Sequence, residues 1–178
     1  MKKKLLILGL IMVMAFTACG DNKSKDEDPT KVAENKKEDG KKTSKKELKA
    51  GETWEVEGQW KVTVDSVTVT KERNEYSDKK PEEVVIVKYT YENLGYESDI
   101  QDLFITPSGV IDGKGEMGEI YPANISVYPK PTPVGAKTVD AEEAFGINNA
   151  SDTVKVIFEI YDVNSTQHKA TFECPVTK

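Results

Sequence analysis

Hydrophobic positions along the chain fall into three regimes. Residues 5–16 are almost unbroken apolar sequence behind Lys2, Lys3 and Lys4. Residues 20–50 nearly lack apolar positions, with Val32 and Leu48 the only sizeable aliphatics. From about residue 51 apolar positions return with a period of two. Trp54, Val56, Trp60, Val62 and Val64 hold even positions between Glu, Lys and Thr, which predicts half-buried strands with a turn or kink at Gly58-Gln59. After Val64 the phase flips to Val67 and Val69. Strict alternation cannot cross Asp65-Ser66, so a β-bulge or bend is predicted there.

The clearest strand is 84–92, with Val85, Val87, Tyr89 and Tyr91 on one face. Val84 and Ile86 make the start of the other face apolar too, which places that part centrally in a sheet. Asn93-Leu-Gly95 ends the strand with turn chemistry. Residues 103–106 read as a short strand, Pro107-Ser-Gly109 as a turn, and Gly113, Gly115 and Gly118 as marks of a long loop. Three prolines between Tyr128 and Pro133 exclude a central strand. Residues 136–139 and 144–147 read as two strands or an extended hairpin, and 139–144 also admits a short helical turn. Val154, Val156, Phe158 and Ile160 share a face of the strand 153–161. Asp162-Val-Asn-Ser165 turns the chain, and Phe172, Cys174 and Val176 share a face of the last strand. The long helical patterns of an α/β fold are absent. About seven short strands separated by turns predict an all-β fold, an antiparallel β-sandwich over 51–178.

Charge and composition change the picture at the N-terminal end. The basic start and the apolar run of about a dozen residues suit a secretory signal, and the run is short of the roughly 20 needed to span a bilayer. Residues 21–50 carry ten lysines against eight acids, a composition that cannot offset chain entropy by apolar burial. A flexible tether of that length spans about 30 Å. Within it, Ser44-Lys-Lys-Glu47 mimics a capping box, so a helix over 43–50 is the alternative to coil. The whole chain is at −6, residues 1–20 add three positive charges and 21–50 add two, so 51–178 stand at −11. Such acidity disfavours nucleic acid and anionic lipid headgroups as partners.

Thr17-Ala18-Cys19 resembles the lipobox of bacterial lipoproteins, in which a small residue precedes an obligatory cysteine. Phe16 departs from the aliphatic that the pattern prefers. The resemblance implies a diacylglyceryl group on the Cys19 thiol, cleavage between Ala18 and Cys19, and further acylation of the new N-terminus with a chain such as palmitate. At about 0.8 kcal/mol per buried CH₂, two or three chains make a stable anchor. The implied organisation is a cleaved signal peptide (1–18), a lipidated Cys19 with a charged disordered tether (19–50), and one domain (51–178). The implied location is the extracytoplasmic face of the cell membrane, with the lipid bilayer as a partner through Cys19. With Cys19 in a thioether, Cys174 has no disulfide partner.

A second resemblance lies in the order of features in the domain. Trp60-Lys-Val-Thr-Val opens it, 84–93 ends in Tyr-Glu-Asn, and Pro131-Thr-Pro-Val-Gly135 precedes Phe145 and the strand 154–161. Together they resemble the immunoglobulin-like extracellular domain of unknown function found in Gram-positive lipoproteins. Its fold is shared with a secreted immunoprotective mycobacterial antigen. The resemblance implies a two-sheet Ig-like sandwich in an exported setting and carries over no catalytic residue. The Lys-, Glu- and Asn-rich composition agrees with a Gram-positive host.

Catalytic chemistry is sparse. The only histidine, His168, sits in a polar turn and is expected to face solvent, whereas a Ser-His-Asp or Cys-His site needs its base held by a third group. Cys174 alternates with Phe172 and Val176, which predicts a buried core cysteine. Gly113-Lys-Gly115 lacks the downstream residues that a phosphate-binding loop requires. No cofactor and no metal site is expected, and one His with two Cys, one of them expected to carry lipid, is too few for a zinc site built from His and Cys. The acids Asp99, Asp102, Asp112, Glu116 and Glu119 raise calcium, but Asp112-Gly-Lys-Gly-Glu116 misses EF-hand spacing and reads as solvated loop charge. Tyr76, Tyr91, Tyr96, Tyr121 and Tyr128 in or near loops could form a binding face for a protein or glycan, or cap sheet edges. The expected function is a surface-displayed, non-catalytic binding module. The alternative is an envelope-accessory or solute-binding lipoprotein, with or without stabilisation by calcium.

Overall fold

The computed structural model describes residues 47–178. The expected signal peptide, Cys19 and the expected tether up to residue 46 lie outside the described residues. The described residues form an all-β fold without a helix. Its nine strands are β1 (Leu48–Lys49), β2 (Thr53–Val56), β3 (Trp60–Thr70), β4 (Glu83–Asn93), β5 (Gly109–Ile111), β6 (Glu119–Ile120), β7 (Lys137–Ile147), β8 (Thr153–Tyr161) and β9 (Gln167–Thr177).

Strands β2, β3, β4, β7 and β6 are antiparallel neighbours in that order, as are β5, β8 and β9. The two groups join where β9 runs parallel to β3, at Val67↔Val176 and Thr68↔Thr177. On the opposite side, Gly118 N–H donates to the Val110 carbonyl (2.8 Å) and Asp112 N–H to that of Glu116 (2.9 Å). The sheet is thereby nearly closed into a barrel. Closure leaves few open strand edges. It surrounds a core that includes Trp60, Val62, Val64, Val85, Val87, Tyr89, Tyr91, Phe145, Phe158 and Phe172.

The bulge expected at Asp65-Ser66 is present, since the β3–β4 register shifts between Val64 and Ser66. The extra residue moves Val67 onto the inner face already held by Trp60, Val62 and Val64. It also separates two pairings: β3 meets β2 over Trp60–Thr63 and meets β9 at Val67 and Thr68. The added twist of a bulge suits such a change of partner. Strand β4 lies between β3 and β7, as the apolar start of both faces predicts. Its outer face carries Val84 and Ile86, covered by Tyr121, Ala123, Ile125 and Ala144. On the inner face, Tyr89 donates its hydroxyl proton to the Ile105 carbonyl (2.9 Å) and Tyr91 donates to that of Lys130, so both phenols are buried and satisfied.

Several local expectations differ from the structure. Residues 103–106 form no strand and touch the ladder only at Leu103↔Thr132. Leu103 and Ile105 are nevertheless fully buried, which explains the strand-like pattern, and Pro107 lacks the N–H that pairing would require. Pro107-Ser-Gly109 is not a turn: Ser108 N–H bonds the Ile157 carbonyl and leads straight into β5. The Met117 methyl lies where a Cβ on Gly109 would sit, 2.5 Å away, so this glycine makes room for the side chain. The strands expected at 136–139 and 144–147 are parts of one strand, β7, and no helical turn separates them; β7 is irregular between Thr138 and Ala141, with Asp140 at φ 56°. Asp tolerates that left-handed conformation better than most residues. Pairing with β4 overrides the helix preference of Ala141-Glu-Glu-Ala144. Residues 47–50 are not helical either. Leu48 and Lys49 pair parallel to Phe172 and Glu173, and Leu48 and Ala50 pack on the core.

Candidate functional site

The loops at one end of the barrel are gathered by Asn93. Its side chain is fully buried at the end of β4. Oδ1 accepts the N–H groups of Gly95 (3.1 Å) and Tyr96 (2.7 Å), and Nδ2 donates to the carbonyls of Tyr96 (3.0 Å) and Thr132 (2.9 Å). Its backbone accepts from Gly135 N–H and donates to Ala136 O. The turn at Gly58-Gln59 joins them: the Gln59 carbonyl accepts from Leu94 N–H, and a Cβ on Gly95 would come within 2.6 Å of the Gly58 carbonyl oxygen. Close backbone approach therefore requires glycine at position 95.

The β8–β9 turn completes this end. Asp162 Oδ1 accepts the N–H groups of Asn164 and Thr166, and its Oδ2 lies 3.0 Å from His168 Nε2. The hydrogen bond to His168 comes first among the causes that hold the Asp162 carboxyl below its ordinary range, followed by the backbone donor of Thr166. The imidazole packs edge-on against Trp60 with ring centroids 5.4 Å apart. Trp60 also meets Trp54 and Tyr96. His168, expected to face solvent, is only partly exposed: β9 carries it across to an indole more than a hundred residues away in sequence. No hydroxyl or thiol is hydrogen-bonded to this imidazole among the described residues. Two buried polar atoms at this end, Gln59 Oε1 and Trp60 Nε1, have no hydrogen-bond partner.

Between the loop after β4 and the end of β8 lies a cleft of about 200 Å³, lined by Tyr96, Gln101, Phe104, Glu159, Ile160 and Tyr161. In its lining, Tyr161 is 56% exposed and Phe104 41%; Ile100 (91%) and Val163 (48%) are exposed on the adjoining loop and turn. Glu159 is held by Lys169 (2.6 Å). Asp99 and Asp102 lie on the same loop, exposed. The cleft offers aromatic and aliphatic surface beside a carboxylate rim.

The remaining residues singled out in the sequence lie elsewhere. Asp112 is buried in the β5–β6 turn, where Oδ1 accepts the N–H groups of Lys114 and Glu116 and Oδ2 accepts from Asn149 Nδ2 (2.7 Å). Burial pushes its carboxyl up, but these donors outweigh it and hold the group below its ordinary range. Oxygens engaged by N–H donors are poorly placed for calcium. Glu116 receives Asn148 and Asn149, and Glu119 pairs with Lys79 (2.9 Å). No cluster of three or more His, Cys, Asp or Glu with metal-site geometry occurs among the described residues. Of the tyrosines, Tyr91 is core and Tyr96 belongs to the loop end. Tyr121 is buried on the outer face of β4 and accepts Asn74 N–H (2.9 Å), while Tyr76 and Tyr128 are exposed beside the hollows flanking Asn74. They do not form one face. Cys19 lies outside the described residues.

Cys174 is fully buried, and burial followed by the charge of Glu173 pushes its thiol up to about 12. It should therefore resist alkylation in the native protein and react once urea unfolds it. Rapid native labelling would refute its place in the core.

Phe104 and Tyr161 in the cleft, and the exposed Ile100 on the adjoining loop, are the part that pattern reading missed. Their signal was an isoleucine and a phenylalanine within a loop otherwise rich in acids. Comparison with models of known protein families, with curated proteins and with solved structures matches the chain to none of them.

Proposed function

We propose that this chain is an exported lipoprotein, anchored through lipid on Cys19 to the extracytoplasmic face of the cell membrane. Its β-domain is a non-catalytic binding module, and the loop end of the barrel is its ligand face. The signal-like residues 1–18, the Thr17-Ala18-Cys19 motif and the polar residues 20–50 support the anchor. The finer fold reading is an Ig-like sandwich. The division into β2-β3-β4-β7-β6 and β1-β9-β8-β5, packed over one core, supports it. The observation that carries the binding role is the exposed apolar rim of the cleft, because exposed apolar patches rimmed by polar residues mark interaction sites. The ligand is a protein or a glycan of the envelope.

Two measurements test this. Mass spectrometry of the protein from membranes should find residues 1–18 removed and lipid on Cys19. An intact leader or a bare thiol would refute the anchor. Crosslinking on intact cells should capture a ligand that the double variant Phe104→Ser, Tyr161→Ser no longer captures. Equal capture by both proteins would remove the loop end from the binding role.

A further inference from the structure

The charge around the cleft narrows its ligand. Three connections meet at this end: residues 57–59, 94–107 and 162–166. Together they hold Glu57, Glu97, Asp99, Asp102 and Asp162 and not one lysine or arginine. Asp162 is committed to His168. Glu57, Glu97, Asp99 and Asp102 are exposed and form no ion pair or hydrogen bond through their side chains among the described residues. The fourth connection, residues 128–136, adds the single cation Lys130. Some carboxylates elsewhere on the domain have a cation: Glu55 has Lys61, Glu119 has Lys79 and Glu142 has Lys88. At the loop end, unpaired acids and exposed apolar side chains lie in the same connections.

Building on the binding role above, we propose that the loop end docks a basic, partly apolar polypeptide segment of a partner protein. Its aliphatic or aromatic side chains would lie on Ile100, Phe104 and Tyr161. Its lysines or arginines would face Glu57, Glu97, Asp99 and Asp102. An extended segment suits this surface because apolar cleft and acidic rim are adjacent, so neighbouring side chains of opposite character meet their complements. Tyr96 and Tyr161 in the lining add ring faces that attract cations. A neutral glycan would use the aromatic rings and leave the acids without a role. Exposed complementary charges mainly set encounter rate and partner choice, and their effect falls with salt.

The test is calorimetric titration of the purified full chain, in neutral detergent, with a lysine–leucine peptide. Comparison peptides replace lysine by glutamate or by serine, and a neutral oligosaccharide of the cell wall completes the set. The lysine peptide should bind tightest and weaken as salt rises. The triple variant Glu97→Gln, Asp99→Asn, Asp102→Asn should weaken it about tenfold at low salt with the melting temperature unchanged. Equal binding of the serine peptide, or preference for the oligosaccharide, would overturn the basic-segment proposal. Binding indifferent to the triple variant would do so as well. The binding role itself fails separately, if Phe104→Ser, Tyr161→Ser leaves every ligand, including the cellular one, bound as before. The lysine-rich residues 21–46 of this chain are a competing source of the same chemistry. Their deletion should leave affinity unchanged. A large gain on deletion would assign the surface to the chain's own segment and refute a partner.

Discussion

Replacing Trp60 with alanine should destabilise the domain by about 3–5 kcal/mol, the range for removing a large buried aromatic. Trp60 opens β3, is fully buried, and meets Trp54, Tyr96 and His168 through edge-on ring contacts. Such pairs add about 0.5–1.5 kcal/mol each beyond the area they bury. The three partners come from β2, the loop after β4 and the start of β9, so truncation loosens three chain segments at once. Against a typical stability of about 5–15 kcal/mol, the loss leaves a small margin or none. Guanidinium denaturation followed by Tyr and remaining Trp fluorescence measures it. Trp60→Phe should lose less, because most of the ring volume remains. A loss under about 1 kcal/mol for the alanine variant would mean the indole is not packed as described.

The contrast between what pattern reading finds and what it misses has a physical basis. Strands β3, β4, β8 and β9 are long, and one face of each lies on the core, so alternation is written directly into them. The phase flip from Val64 to Val67 likewise announces the bulge, since an odd insertion must exchange faces. Strands β5 and β6 have three and two residues, too few for a period, and glycines surround them. Strand β7 is misread because Ala141-Glu-Glu-Ala144 carries local helix preference, whereas the outcome depends on hydrogen bonds to β4. Propensity is a weak prior when such pairing competes. The site follows the same division. Asp99, Asp102 and Tyr96 are visible as residue types, and the turn at Asn93 is visible as turn chemistry. That His168 would meet Trp60, or that Phe104 would line a cleft with Tyr161, depends on which distant strands become neighbours, and no local pattern contains that.

Asn93→Ala should cost about 3–4 kcal/mol although it removes only a small polar side chain. The carboxamide makes four hydrogen bonds in a fully buried position. Each is worth roughly 1 kcal/mol net, and partners left buried and unpaired cost about 1–3 kcal/mol apiece unless water reaches them. Asn93→Asp separates the two halves of this effect. A carboxylate keeps the acceptors for Gly95 and Tyr96 N–H but turns an oxygen toward the carbonyls of Tyr96 and Thr132, which need a donor. It should therefore be no milder than alanine at neutral pH and should recover partly in acid, where a protonated carboxyl can donate to one of them. Hydrogen exchange gives a local readout: the Gly95 and Tyr96 amides should lose protection in both variants at concentrations where the β8–β9 ladder keeps its own. If both variants retain wild-type stability and those amides stay protected, the carboxamide does not hold the loop. If the amides open while the barrel stays folded, Tyr96 leaves the cleft wall and ligand capture should fall with it, which ties the shape of the loop end to one side chain at the end of β4.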